Sequence, residues 1–241
     1  MDEKVRFALD LIRESIKKYK RIAFVCSFGK DSMVTLDLIR RIKPDILVLW
    51  IKTPFLFDEV IEFANKIIKD WSLNVRVVEN ERVNDADWLE HIVYKPKLWK
   101  TNPELCCQLF KVEPIIREVN RLKLQAWFSG LRRTESEKRG MYTHIWRQGS
   151  FVKIHPILDF TEADVWRYLA THDVPVCKLY AEGYRSLGCK PCSFPNVWYA
   201  ERGGRWKDTL MEGGDCGIHC TPPNIKLDYV AGLRSLSDNR D

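Results

Sequence analysis

No apolar run in this chain approaches the roughly 20 residues that a membrane-spanning helix needs. The longest are Ile22–Phe28 and Ile46–Ile51. Met1–Lys20 is charged throughout and lacks the apolar core of an export signal. These two absences exclude a membrane span and predict a cytoplasmic protein whose thiols stay reduced. A strong charge excess is also missing. Lys and Arg number 39 against 33 Asp and Glu, a net +6. That balance suits an anionic ligand but is too weak to indicate nucleic acid. No internal repeat and no low-complexity linker breaks the 241 residues, so no firm domain boundary is visible.

Cysteine is what the chain has in number: eight, at positions 26, 106, 107, 177, 189, 192, 216 and 220. In an exported protein an even count suggests disulfides. In a reduced compartment the same residues point to metal ligands, catalytic thiols or core filler.

Apolar periodicity predicts an amphipathic helix over 2–19, from Val5, Ala8, Leu9, Ile12 and Ile16. Ile22–Cys26 reads as a buried strand, Met33–Ile42 as a helix stopped by Pro44, and Ile46–Ile51 as a second strand. Phe57–Asp70 is helix-like, Asn74–Glu79 a third strand, 105–122 helical and Gln125–Ser129 a fourth strand. Residues 80–104 carry no clear pattern. Gly130–Ser150 is polar and basic, with Arg132, Arg133, Lys138 and Arg139. Thr161 with Asp164 three residues on predicts the capped start of a helix over 161–171. Beyond Val174 little regular structure is expected. Short apolar runs alternating with helices predict an α/β fold: a mostly parallel twisted sheet flanked by helices. An irregular Cys-rich C-terminal segment follows.

Between the first strand and its helix lies Ser27-Phe28-Gly29-Lys30-Asp31-Ser32. A strand-to-helix turn exposes backbone N–H groups to an anion, Gly29 permits close approach, Ser27 and Ser32 can donate, and Lys30 adds charge. It is not a Walker A loop. The stretch resembles the S-x-G-K-D-S phosphate loop of the adenine-nucleotide α-hydrolase superfamily, with Phe28 at the variable place.

Cys106-Cys107 and Cys189-Lys190-Pro191-Cys192 form two close pairs. Four thiolates suit zinc or an iron–sulfur cluster, and the adjacent pair could equally be two small buried hydrophobes. No strand-to-helix context precedes Cys189, which disfavours a thioredoxin-like redox pair. Near the end, Asp215-Cys216-Gly217-Ile218-His219 places a thiol beside an imidazole, a plausible nucleophile or a loose reduced thiol.

Together these residues resemble the assimilatory reductases of adenylyl sulfate (APS) and its 3′-phosphorylated form (PAPS). Cys106-Cys107 with Lys111, then Cys189-x-x-Cys192, resembles the APS reductase cluster motif, and Asp215–His219 resembles the E-C-G-L-H tail. Arg132-Arg133 and Arg202-Gly203-Gly204-Arg205-Trp206 resemble further segments of that family. The resemblance implies a [4Fe-4S] cluster on the four cysteines and Cys216, with His219 beside it, as the catalytic group. It implies phosphosulfate contacts from Ser27, Phe28, Gly29, Lys30, Ser32, Lys111, Arg202 and Arg205. Arg132 and Arg133 would approach a phosphate or the ribose 3′ position. Thioredoxin or glutaredoxin would be the electron donor and a homodimer the assembly. Residues 1–206 would form the nucleotide-binding domain and 207–241 a mobile tail carrying Cys216. The four-cysteine pattern favours APS. Ser27-Phe28-Gly29 resembles PAPS reductases more closely, and with the extra basic groups it tips the expectation slightly to PAPS. Two other readings stay open: an ATP-using sulfur-transfer or thiolation enzyme, to which the intact Lys30-Asp31-Ser32 is suited, and a zinc-stabilised binding module.

Overall fold

The computed structural model describes residues 2–196, 200–209, 211–212, 215 and 217–218. Cys216, His219 and Cys220 lie outside the described residues, as does most of the expected tail 207–241. In chain order the regular elements are α1 (Asp2–Lys18), β1 (Ile22–Cys26), α2 (Lys30–Arg40), β2 (Leu47–Ile51), α3 (Asp58–Asp70) and β3 (Val75–Val78). Then come three short helices, α4 (Ala86–Trp88), α5 (Leu98–Thr101) and α6 (Pro103–Cys107), followed by α7 (Glu113–Arg121), β4 (Ala126–Ser129), β5 (Ile145–Gln148), β6 (Phe151–Ile154) and α8 (Glu162–Thr171). No helix among the described residues is long and apolar enough to cross a membrane.

The six strands form one sheet in the order β3-β2-β1-β4-β6-β5. All neighbours are parallel except the β5–β6 pair. Side chains alternate between two faces, as the period of a strand demands. Phe24, Val48, Trp50, Phe128 and Ile154 pack on one face with residues of α1, α2, α3 and α8. Ala23, Leu49 and Trp127 pack on the other with Ile115, Ile116 and Val119 of α7. A parallel sheet covered on both faces has apolar strands, which is why these runs were visible in the sequence.

The chain runs from β1 outward to β2 and β3, then returns to the far side of β1 as β4. Strand order therefore reverses between β1 and β4. The crevice beyond the C-terminal strand ends at such a point is where open α/β sheets bind ligands.

Three elements differ from the sequence expectation. The polar segment up to Ser150 ends in the first strand and turn of a hairpin: β5 and β6 pair from Ile145↔Ile154 to Gln148↔Phe151 around a turn in which Gly149 has φ 61°. Its polar residues hid it, although Lys153 is completely buried. The helix expected over 105–122 is interrupted by a π-helical turn at Gln108–Val112, which carries Lys111. Such turns widen a helix locally and concentrate at functional sites. Residues 86–101, unassigned from sequence, hold α4, α5 and a second π-helical turn. The start of α8 is as expected. Thr161 Oγ1 accepts from the Asp164 amide at 3.1 Å and Asp164 Oδ2 accepts from the Thr161 amide at 2.9 Å.

Candidate active site

A cavity opens at the switch point between β1 and β4. Ser27, Gly29 and Ser32 line one wall, Ser129 and Gly130 the next, and Lys111, Arg202 and Arg205 the third. Val25, Trp50, Ile51 and Trp127 provide an apolar floor. The lining thus combines an apolar floor at the sheet with Lys111, Arg139, Arg202 and Arg205, which outnumber Asp31 and Glu135, a match for a base joined to an anion.

The loop after β1 is held open from within. Ser27 Oγ lies 2.9 Å from Ser32 Oγ and accepts from the Gly29 amide at 3.3 Å. The Lys30 amide donates to the Tyr180 hydroxyl at 2.8 Å. Phe28 takes a left-handed backbone conformation, φ 56°, rare for a bulky residue. That twist drives its ring into the core, edge-on to Trp50 with centroids 5.4 Å apart. Gly130 has to be glycine, because a Cβ there would sit 2.9 Å from the Asp31 carbonyl. The two strand-end loops therefore touch backbone to backbone.

Four of the expected site residues do not line the cavity. Phe28 is core. Lys30 is buried, and its Nζ donates to Glu201 Oε1 at 2.7 Å and to the Arg185 carbonyl at 2.6 Å. Burial opposes the Lys30 charge, but Asp31, Tyr180 and Glu201 outweigh it and hold the ammonium above its ordinary range. Arg132 is fully buried and bridges Asp31, at 2.5 Å, to Glu201. Burial works against the Asp31 carboxylate, yet Lys30 and Arg132 keep its pKa below normal. Arg133 points outward and pairs with Asp159. A charge that looks free in a sequence is taken up here by carboxylates from distant segments. The carboxylates Asp31, Glu135 and Glu201 cluster closely, with Lys30, Arg132, Arg139 and Arg202 supplying the counter-charge.

Sequence reasoning missed Arg139, Glu135, Tyr180 and Trp127, all of which line the cavity. Arg139 and Glu135 lie in the polar stretch after β4, whose lack of periodicity gave no way to single them out. Cys26 also lines the cavity, with its thiol pushed up to about 12, chiefly by burial. Cys177 is buried with Phe57, Val60 and Leu179 as filler.

Cys106, Cys107, Cys189 and Cys192 converge on a second, smaller cavity walled by Phe55, Trp99, Phe110 and Trp206. Lys111 and Trp206 border both cavities. The loop after β2 fixes the second cysteine pair. The Lys190 amide donates to the Phe55 carbonyl at 2.7 Å, and Thr53 Oγ1 lies 3.3 Å from Cys189 Sγ. Burial, then the neighbouring cysteines, push the Cys106 thiol well above its ordinary value. Burial and Cys189 push Cys192 up to about 11. Four thiols on one small, largely apolar cavity are a donor set that fits a metal group taking thiolates. The Trp206 indole N–H is buried there with no partner among the described residues, a donor of the kind that iron–sulfur sulfurs accept from. Arg205 lies against Gly188, where any side chain would displace it, and donates from Nε to the Cys192 carbonyl at 3.1 Å. One guanidinium thus joins the cysteine site to the larger cavity.

The phosphoadenosine phosphosulfate reductase domain model matches residues 21–195. An adenosine 5′-phosphosulfate reductase of Lysinibacillus sphaericus is 31% identical over 224 residues, covering 91% of this chain and 93% of that protein. The corresponding reductase of Bacillus anthracis is 34% identical over 223 residues, covering 90% and 96%. Among solved structures, a PAPS reductase from Candida auris in a phosphate complex superposes with TM-score 0.66 at 22% identity, covering 76% of this chain and 87% of that one. FMN adenylyltransferase of Candida glabrata superposes with TM-score 0.62 at 17% identity, covering 98% and 80%, which shows the same fold. The domain match over residues 21–195 and relatives at 31–34% identity across about 90% of the chain agree, and the chain belongs to the phosphoadenosine phosphosulfate reductase domain family.

Proposed function

We propose that this chain reduces adenylyl sulfate to sulfite and AMP, as a thiol-dependent enzyme of assimilatory sulfate reduction. One observation carries the reading: Ser27, Gly29 and Ser32 line the same cavity as Lys111, Arg202 and Arg205, over an apolar floor at the sheet. The adenine rests on that floor and the phosphosulfate spans the gap. Arg205 offers a planar fork to the anion's oxygens and Lys111 a point charge, while Arg202 adds its charge from the pair it makes with Asp215.

The Cys216 thiolate attacks the sulfonate sulfur. An S–S bond forms, the S–O bond to the phosphate breaks, and AMP leaves with the electron pair. The arginines offset charge as it builds on the leaving phosphate. His219, three residues on, favours the thiolate when protonated. A thiol of reduced thioredoxin or glutaredoxin then attacks Cys216 Sγ and expels sulfite. The donor's second thiol resolves the mixed disulfide and returns Cys216 to the thiolate, so the two electrons come from the donor dithiol. Residues 207–241 form the tail that carries Cys216 between substrate and donor.

Cys106, Cys107, Cys189 and Cys192 hold a [4Fe-4S] cluster. When bound, it supplies a fixed electrostatic environment beside Lys111 and the substrate anion.

Adenylyl sulfate is preferred to its 3′-phosphorylated form because the cations counted for a 3′-phosphate are engaged elsewhere. Arg132 is sealed between Asp31 and Glu201, and Arg133 pairs with Asp159. This reverses the preference drawn from Ser27-Phe28-Gly29, since Phe28 is core and reads no substrate. The test is sulfite release by the purified protein with adenylyl sulfate and reduced thioredoxin. Pyrophosphate release from ATP without sulfite production would instead support a sulfur-transfer enzyme of the same fold.

A further inference from the structure

Asp215 is the residue before Cys216, and the reaction above gives it no role. Its carboxylate is nonetheless firmly held. Arg139 donates to it from Nε at 3.1 and 3.0 Å and from Nη2 at 2.5 Å, and Arg202 Nη2 lies 2.9 Å from Oδ1. Both arginines are buried and both line the nucleotide cavity. Glu135 closes the ring from below, bonded to Arg139 Nη1 and 3.8 Å from Arg202 Nη1. Two cations and two carboxylates alternate. Asp215 answers two buried guanidiniums at once, and burial and Arg139 pull the Arg202 pKa down while Asp215 opposes them.

A second anchor lies three residues along. The Ile218 carbonyl accepts from Nζ of the fully buried Lys153 at 2.7 Å. Its side chain joins the apolar cluster of Val25, Ile51 and Trp127 at the cavity floor. Cys216 is thus bracketed in sequence by two contacts made on the cavity wall, one ionic and one apolar. Charge-assisted forks of this geometry fix orientation as well as position.

We propose that Asp215 is a positioning residue: Arg139 and Arg202 grip its carboxylate and so hold the chain next to Cys216 on the cavity wall. The inference rests on the reading of Cys216 as the nucleophile. A dock of this kind is worth its effect on orientation, and a loosened nucleophile loses rate without losing substrate.

The test uses the full-length protein and three readouts: alkylation of Cys216 by iodoacetamide without nucleotide, followed by peptide mass, the affinity for AMP, and the single-turnover rate of Cys216 sulfonation by adenylyl sulfate. Asp215→Asn should be alkylated at Cys216 about tenfold faster and sulfonated about tenfold more slowly, with AMP affinity unchanged. Asp215→Glu, which keeps the charge, should stay close to the wild-type alkylation rate. Equal alkylation rates for wild type and Asp215→Asn would overturn the dock. So would a loss of AMP affinity that accounts for the whole loss of sulfonation. A wild-type chain that never sulfonates Cys216 would overturn the functional reading instead, and the alkylation comparison would still decide the dock.

Discussion

Nζ of Lys30 lies 2.7 Å from Oε1 of Glu201, and this contact turns the lysine of the phosphate loop away from the cavity. Glu201 also receives Arg132, so one buried carboxylate organises two cations that the sequence had assigned to substrate. Burial raises the Glu201 pKa and Asp31 adds to it, while Lys30 and Arg132 act in the opposite direction. The group is therefore sensitive to losing either cation.

Replacing Lys30 by Met should lower folding stability by about 3 kcal/mol, because it leaves buried carboxylate charge uncompensated. Adding Glu201→Gln to that variant should recover part of the loss. Denaturant midpoints of the wild type, both single variants and the double variant check this. An exposed, substrate-facing lysine would show almost no stability change.

Purified anaerobically, the protein should contain iron and labile sulfide in equal amounts. Cys106→Ser or Cys192→Ser should lose both, since each thiol lines the same small cavity. Removing the metal should also expose an apolar lobe that includes Phe55, Trp88, Phe110 and Trp206, read as a change in tryptophan fluorescence. Zinc without sulfide would contradict the cluster.

His155 is fully buried, its Nδ1 2.8 Å from Ser129 Oγ, and burial followed by Lys153 lowers its pKa from 6.5 to about 3. Below the unfolded value, the unfolded chain takes up a proton that the folded chain refuses. Stability present near neutral pH is therefore lost as pH falls from 6.5 toward about 3, at up to ~1.4 kcal/mol per pH unit. Asp164, lowered to about 2, adds its own loss only at more acid pH. The wild-type urea midpoint should be lower at about pH 5 than at about pH 7, and His155→Asn should remove most of that fall.

Much of the fold was legible because β1, β2 and β4 are buried on both faces and read as continuous apolar runs. The π-helical turn at Gln108–Val112 was not, since one widened turn scarcely disturbs apolar spacing. The β5–β6 hairpin was hidden by Arg147, Gln148 and Lys153, the last buried over the Trp127 ring at 4.9 Å. At the site, short-range motifs were legible: the loop around Gly29 and the two cysteine pairs do meet at neighbouring cavities. Charge pairing was not, because Glu201 lies 171 residues from Lys30 and only the fold brings them together. The same holds for Arg139 and Asp215, separated by 76 residues.

In direct competition, adenylyl sulfate should be consumed before PAPS, with kcat/KM higher by about tenfold or more. A 3′-phosphate meets neither Arg132 nor Arg133, whose partners are Asp31, Glu201 and Asp159. Equal use of both nucleotides would show that other cations read the 3′ position.

The most direct test of the account is the mass of the Cys216 peptide after the full-length protein meets adenylyl sulfate with no thiol donor present. The peptide should gain one SO3 group, one AMP should be released per group gained, and reduced thioredoxin should reverse the modification with release of sulfite. Cys216→Ser should gain nothing while still binding AMP. Sulfite release by Cys216→Ser, or an unmodified Cys216 in a wild-type chain that turns over, would contradict it.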